Sequence, residues 1–386
     1  MCAVPVPPAQ NYFKIYAGST ELSPFHGCYA TEDTVLRTCA GRFFVHDNGD
    51  DMVAAYWALR KKAVLYDVPE RPVEISGPEA LAFLEKIFAR QISSLVIGRG
   101  YYTLACTHSG GLFMDGILFR LDETRFWFVQ PDGDMHTWLL AHNTGFDVTI
   151  SDPKSRALQL QGPASFTIMN AASGGAIDRE MGYFHAGFFD IGGQEVYVSR
   201  TGWTGELGYE IYTQGAATDG PQLWQHLMKS GHDHGMIFGA MHSMNIRRIE
   251  AGILDSGSDF DTSMTPFEAG LERFIDLKKD QFIGKEALLS AKRGKRLYGL
   301  TCKDLTPCRG DAIFAENVQV GVVTTGAQSP FLAVGIGYVR FYEAGSWPGK
   351  KLLVYASGGG QAECEILEPP FYNRDKQTPR VFQSKG

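Results

Sequence analysis

Two stretches of the chain carry the same succession of patterns. Val73-Glu74-Ile75-Ser76 alternates apolar and polar residues with the period of a half-buried strand, and Gly77-Pro78 then opens a helical run to about Ala89. Leu158-Gln159-Leu160-Gln161 alternates likewise and leads through Gly162-Pro163 into a run from Ala164 to Asn170. Two strand–Gly-Pro–helix units about 85 residues apart indicate a duplicated α+β unit. Between them, strands are predicted from Leu112 to Leu121 and from Arg125 to Gln130, around the turn Asp122-Glu123-Thr124. Further helices are predicted over Met52 to Lys62, Gln222 to Gly231 and Ala240 to Gly252, whereas residues 1–50 read as irregular. After Arg293 the texture changes to short strands with Gly-rich turns, such as Gly321 to Gly326, Gly335 to Val339 and the hairpin turn Ser357 to Gly360. The expected architecture is α+β over residues 1–290, followed by a small β-barrel or sandwich over 291–386.

Composition narrows the function classes. At 386 residues, with 44% hydrophobic and 20% charged residues, the chain has the makeup of an ordinary globular protein. A formal charge of -7 argues against a nucleic-acid partner, and no apolar run is long enough to span a membrane. No charged segment followed by an apolar core opens the chain. With an odd count of seven cysteines (Cys2, Cys28, Cys39, Cys106, Cys302, Cys308, Cys364), this points to reduced thiols in a cytoplasmic setting. His232-Asp233-His234 lacks a third ligand cluster, and Cys302 and Cys308 lack zinc-site spacing, so no metal is expected. There is no phosphate-binding loop, no early G-x-G-x-x-G and no G-x-S-x-G.

The most informative segment is Ser199-Arg200-Thr201-Gly202-Trp203-Thr204-Gly205-Glu206-Leu207-Gly208-Tyr209-Glu210-Ile211-Tyr212. Its glycines mark tight turning between two strands, Val196 to Val198 and Tyr209 to Tyr212. Glu210 sits on the face opposite Tyr209 and Ile211. Facing inward it needs partners, because a buried unpaired carboxylate is costly. A flat heterocycle with two adjacent N–H donors, stacked against aromatic rings, meets that need. A surface hairpin with a solvated glutamate satisfies the same pattern.

This segment resembles the S-R-T-G-Y-T-G-E-x-G-[FY]-E-I block of the folate-dependent aminomethyltransferase family, the T-protein of glycine cleavage and its relatives. Arg247-Arg248-Ile249-Glu250-Ala251-Gly252 is similar to its L-R-L-E-A-G helix, and Thr265 to Leu271 to its [ST]-P-x-E-A-G-L block. Phe282 to Leu288, and Tyr102-Thr103 seven residues before Gly110-Gly111, match further motifs in collinear order from about residue 45 onward. The resemblance implies tetrahydrofolate as cofactor. Glu210 would then receive the pterin's amino edge, Tyr102 and Tyr209 would line the ring, and Arg248 would meet a carboxylate of folate or substrate. Arg374, in Pro370-Phe371-Tyr372-Asn373-Arg374, would close the pocket. Convergence of Tyr102, Glu210 and Arg248 on one ligand implies two interleaved antiparallel-sheet units around a central cavity.

One departure is chemically specific. T-proteins read G-G-x-x-D-D-L, with the first aspartate at the reacting centre. Here the run is Gly110-Gly111-Leu112-Phe113-Met114-Asp115-Gly116. Aminomethyl transfer releases an amine and needs a proton donor, which a thioether cannot be. Methyl transfer from a sulfonium releases a neutral thioether and needs none. With Met114, Asp115 and Trp203 at the reacting centre and aromatic faces at Trp203 and Tyr209 for the cation, the chain resembles the dimethylsulfoniopropionate demethylase branch. That branch shares the tryptophan, and Tyr66-Asp67-Val68-Pro69-Glu70-Arg71 in place of F-D-V-S-H-M points the same way. The expected activity is methyl transfer from a small donor to tetrahydrofolate by a monomer or homodimer. The alternatives are a glycine-cleavage aminomethyltransferase, a methoxyaryl O-demethylase, or a folate-binding protein without turnover.

Overall fold

Strand Val64–Val68 is separated from strand Arg71–Ser76 by Pro69 and Glu70 alone, yet the two belong to different sheets. The computed structural model describes residues 20–130 and 133–382. From Arg71 the chain builds a five-stranded sheet, in the order Arg99–Cys106, Leu112–Arg120, Arg125–Gln130, Arg71–Ser76, Thr149–Ser151. It then returns to the first sheet at Ala157–Gln161, which pairs antiparallel with Val64–Val68. That six-stranded sheet runs Ala186–Asp190, Glu195–Ser199, Gly208–Tyr212, Ala157–Gln161, Val64–Val68, Ile237–Phe238. Every pairing in the two sheets is antiparallel except that of Ile237–Phe238 with Val64 and Leu65. The interleaving expected from converging motifs is present.

Alternation gives each sheet two unlike faces. Leu158, Leu160, Val198 and Ile211 point outward beneath helices Ser165–Ala172 and Gly220–His232. Ile75, Leu118, Phe126 and Phe128 do the same beneath Ala80–Ile87 and Met135–His142. The inner faces meet each other, with Tyr66, Tyr197 and Tyr212 against Phe119, Trp127 and Val129. The ring of Tyr197 lies 5.4 Å from Trp127 and 5.6 Å from Phe119, both edge-on. Fully buried rings of this kind give the largest apolar contribution per side chain, so this seam binds the two sheets together.

The C-terminal strands, Leu297–Cys302 through Gln361–Leu367, close into a six-stranded barrel rather than an open sandwich. The barrel docks on helix Met241–Glu250: Tyr338 Oη donates to the Ile249 carbonyl at 2.9 Å, and Ser329 Oγ to Glu250 Oε1 at 2.6 Å. Within the stretch read as irregular, Val35–Cys39 pairs with Arg42–Asp47 as a hairpin. Its turn residues Ala40 and Gly41 both take positive φ, 48° and 74°, a requirement that Ala-Gly does not announce as Asn-Gly does. Among the described residues, Cys28, Cys106, Cys302 and Cys364 are free thiols. No described helix is long and apolar enough to cross a membrane.

Candidate active site

Strand Gly208–Tyr212 places Glu210 and Tyr212 on the inner face and Tyr209 and Ile211 on the outer. In register, Glu210 lies between Ser199 on one neighbouring strand and Gln159 on the other. It is 5% exposed. Oε1 accepts from Gln159 Nε2 at 3.0 Å; Oε2 accepts from Tyr212 Oη at 2.9 Å, Ser199 Oγ at 3.3 Å and the Thr201 hydroxyl. Burial pushes this carboxyl above its ordinary range, and the three hydroxyls pull it back. The solvated-hairpin reading is therefore excluded: Glu210 is an interior acceptor.

A second acid faces the interior from the five-stranded sheet. Asp115 is opposite Leu104 in register, and Tyr102 Oη donates to Asp115 Oδ2 at 2.7 Å. Asp115 is 7% exposed and its Oδ1 is buried without a hydrogen-bond partner. Burial pushes it up to about 6 against the Tyr102 hydrogen bond, with the charge of Asp255 adding to the rise. Trp203 packs on the Glu210 side. Its backbone N–H reaches Gln159 Oε1 at 3.4 Å, its ring packs on the inner-face cluster, and the Arg248 guanidinium lies 5.2 Å from the ring centroid.

Four expected residues sit elsewhere than the motif reading put them. Met114 is 2% exposed and packs with Ile75, Leu118 and Phe128 beneath the helices, because adjacent strand residues point to opposite faces. The position that faces inward is 115, and there the acid is retained. Tyr209 belongs to the outer core with Leu160 and Ile168, back to back with Glu210. Arg248 is 1% exposed and already engaged by Asp259, by Asn245 Oδ1 at 2.9 Å, by the Ile253 carbonyl at 3.2 Å and by Thr325 Oγ1 at 2.9 Å. It ties helix to barrel instead of offering an open fork. Arg374 is exposed, and Tyr372 of the same run is the residue that turns inward, donating to Glu250 Oε2 at 2.7 Å.

The motif reading missed Gln159, Ser199, Thr201, Tyr197 and Tyr212. Tyr212 was recoverable as the i+2 neighbour of Glu210. Gln159 and Ser199 required the strand order, which no local pattern gives. Three buried polar atoms near these groups lack hydrogen-bond partners: Asp115 Oδ1, Tyr197 Oη and Glu70 Oε2. Such atoms are costly unless a ligand meets them, and together with Glu210 they suit a polar heterocycle enclosed by aromatic rings. A surface cavity of about 620 Å³ beside Arg71, Asp152 and Lys154 contains none of them, and those charged residues pair with one another. No cluster of three or more metal-ligating side chains occurs among the described residues.

Comparison with known proteins agrees with this geometry. Residues 35–279 match the family model described as the GCVT N-terminal domain, and residues 295–373 match the glycine cleavage T-protein C-terminal barrel domain. An aminomethyltransferase of Halalkalibacterium halodurans is 30% identical over 327 residues, 82% of this chain and 88% of the relative. The dimethylsulfoniopropionate demethylase DmdA of Ruegeria pomeroyi is 32% identical over 320 residues, 80% of this chain and 86% of the relative. Among solved structures, the glycine cleavage system aminomethyltransferase T of Bartonella henselae superposes with a TM-score of 0.83 at 23% identity. That match covers 92% of this chain and 99% of the other, a likeness of fold.

Proposed function

The chain belongs to the glycine cleavage T-protein family of folate-dependent aminomethyltransferases and related enzymes, and from that premise we propose that it passes a one-carbon unit from a small donor to tetrahydrofolate held between its two sheets. The observation that carries this reading is Glu210, a buried carboxylate at the centre of an aromatic inner face. Its two oxygens match a pterin edge with adjacent N–H groups, and charge-assisted bonds of this type are the strong ones. Bound there, tetrahydrofolate supplies the nucleophilic nitrogen that takes up the one-carbon unit. The chain's own residues orient the ring through Glu210 and exclude water with Tyr197, Tyr212 and Trp127. They also present the Trp203 face to a cationic donor and set the Asp115 carboxyl, one oxygen free of hydrogen bonds, on the inner face.

Methyl transfer from a methylated onium donor such as dimethylsulfoniopropionate is the reading we favour. It is supported by the Trp203 ring, suited to a cation, and by the likeness to DmdA. Met114 lends it no support, being remote from the inner face. Aminomethyl transfer is a second reading with its own observation: Asp115 is a buried acid with one oxygen free of hydrogen bonds, as protonation of a leaving amine requires. Single turnover with tetrahydrofolate and each donor separates them. 5-Methyltetrahydrofolate is the expected product with the sulfonium, 5,10-methylenetetrahydrofolate from an aminomethyl donor would establish the second reading, and neither product would refute both.

A further inference from the structure

Glu70 occupies the two-residue link where the chain crosses from one sheet to the other. Its carbonyl accepts from Arg42 Nη1 at 2.8 Å, which fixes the backbone of the link. Its side chain reaches the inner face, where Oε1 accepts from Gln159 Nε2 at 3.0 Å. The same nitrogen is 3.0 Å from Glu210 Oε1. One amide thus stands between two carboxyl groups: Glu210, whose Oε1 accepts from that amide alone, and Glu70, whose Oε2 is buried and unpartnered. Tyr197, 1% exposed with an unpartnered hydroxyl, points from the same face. Two carboxyls so close do not both ionise readily. Burial, and next the charge of Glu210, push Glu70 up to about 8, whereas Glu210 has three hydroxyl donors to hold its charge. The pair therefore sets Glu210, whose charge three hydroxyls favour, beside a Glu70 carboxyl that burial and that charge push toward its O–H form.

We propose that Glu70 is a ligand-binding residue of this cleft, donating as a carboxylic acid to a hydrogen-bond acceptor of the same heterocycle whose N–H edge Glu210 accepts. The inference rests on the folate reading above. A pterin has the matching edge, since its ring N–H is flanked by a carbonyl oxygen. The other titratable groups facing Glu70 are Asp67, Arg42 and Tyr212, besides Glu210. Arg42 and Tyr212 titrate above the range of interest, at about 10 and higher, and Asp67 below it, at about 6.

Binding of 5-formyltetrahydrofolate, an air-stable reduced folate, is to be measured by tryptophan fluorescence between pH 6.5 and 9.0 for wild type, Glu70→Gln, Glu70→Ala and Glu210→Gln. Wild-type affinity is expected to fall roughly tenfold between pH 7 and 9 as Glu70 loses its proton. Glu70→Gln, a neutral donor of the same shape, should stay within about threefold of wild type at pH 7 and lose that fall, whereas Glu70→Ala should bind at least about tenfold more weakly. Wild-type affinity in Glu70→Ala, or an unchanged pH profile in Glu70→Gln, overturns the assignment of Glu70. If Glu210→Gln binds weakly while both Glu70 variants match wild type, only this inference fails. If Glu210→Gln also matches wild type, or wild type does not bind, the folate site fails and the inference with it.

Discussion

Replacing Asp115 by Asn should make the protein more stable at neutral pH, and should impair transfer only from a donor whose leaving group needs a proton. The aspartate is buried, hydrogen-bonded on one oxygen only, and pushed from its ordinary 3.8 to about 6, first by burial. A carboxyl whose folded value lies above its unfolded one stabilises the native state most when both forms are protonated. That contribution is complete below pH 3.8, is lost progressively as pH rises through about 6, and is gone above pH 7. At 1.36 kcal/mol per pH unit the rise amounts to about 3 kcal/mol, of which roughly half remains to be lost above pH 5. Asn does not titrate and still accepts from Tyr102. Its stability should therefore match the aspartate at low pH and exceed it by about 3 kcal/mol at pH 7.5. Urea unfolding of both proteins at pH 5.0 and 7.5 measures this, and the gap should widen by about 1.5 kcal/mol between the two. An Asn variant less stable at pH 7.5, or a gap equal at both pH values, would refute the buried-acid argument. A buried acid that costs stability in this way is of the kind that functional sites trade stability to keep.

Two further outcomes follow from placement alone. Met114→Asp should cost at least about 3 kcal/mol in urea unfolding, because it sets a charge among Ile75, Leu118 and Phe128, while Met114→Leu should stay within about 1.5 kcal/mol and leave single-turnover rates unchanged. Arg248→Lys should destabilise by on the order of 3 kcal/mol, since an ammonium cannot meet Asp259, Asn245 and Thr325 together. Its signature is earlier thermal loss of the barrel with folate affinity changed less than stability, and the reverse order would return Arg248 to the ligand.

Local pattern made the elements legible. The helix expected over Met52 to Lys62 is Met52–Lys61, and the strand expected from Arg125 to Gln130 has those ends. Motif order also foretold that two antiparallel sheets interleave along the chain. Facing was harder: period two puts Tyr209 and Glu210 on opposite sides, and the family resemblance that assigns both to one ring conflicts with it. For Met114 and Asp115 the same alternation says that only one of the pair can face the ligand, but which one depends on the partner strand, and the bulge near Ala105 and Cys106 resets the local phase. Gln159 and Glu70 were hidden for another reason. A polar residue in a strand, or in a two-residue link, reads as solvated until the second sheet arrives to cover it.

The insertion of one sheet within the other bears on how the chain is made. The five-stranded sheet is complete within residues 71–151, so it can assemble from a contiguous stretch as it leaves the ribosome. Strand Val64–Val68 cannot. Its neighbours in the finished sheet are Ala157–Gln161 and Ile237–Phe238, the nearer of them roughly 90 residues downstream, which at translation speeds means a wait of about 5–20 s. During that interval an apolar strand, buried on both faces in the product, has no partner, and such segments are where aggregation begins. The inner faces of the two sheets also draw on later segments, Tyr197 and Tyr212 among them, so their contact completes later still. The time this strand spends unpaired therefore bears on how much chain reaches the finished fold, independently of how stable that fold is once formed.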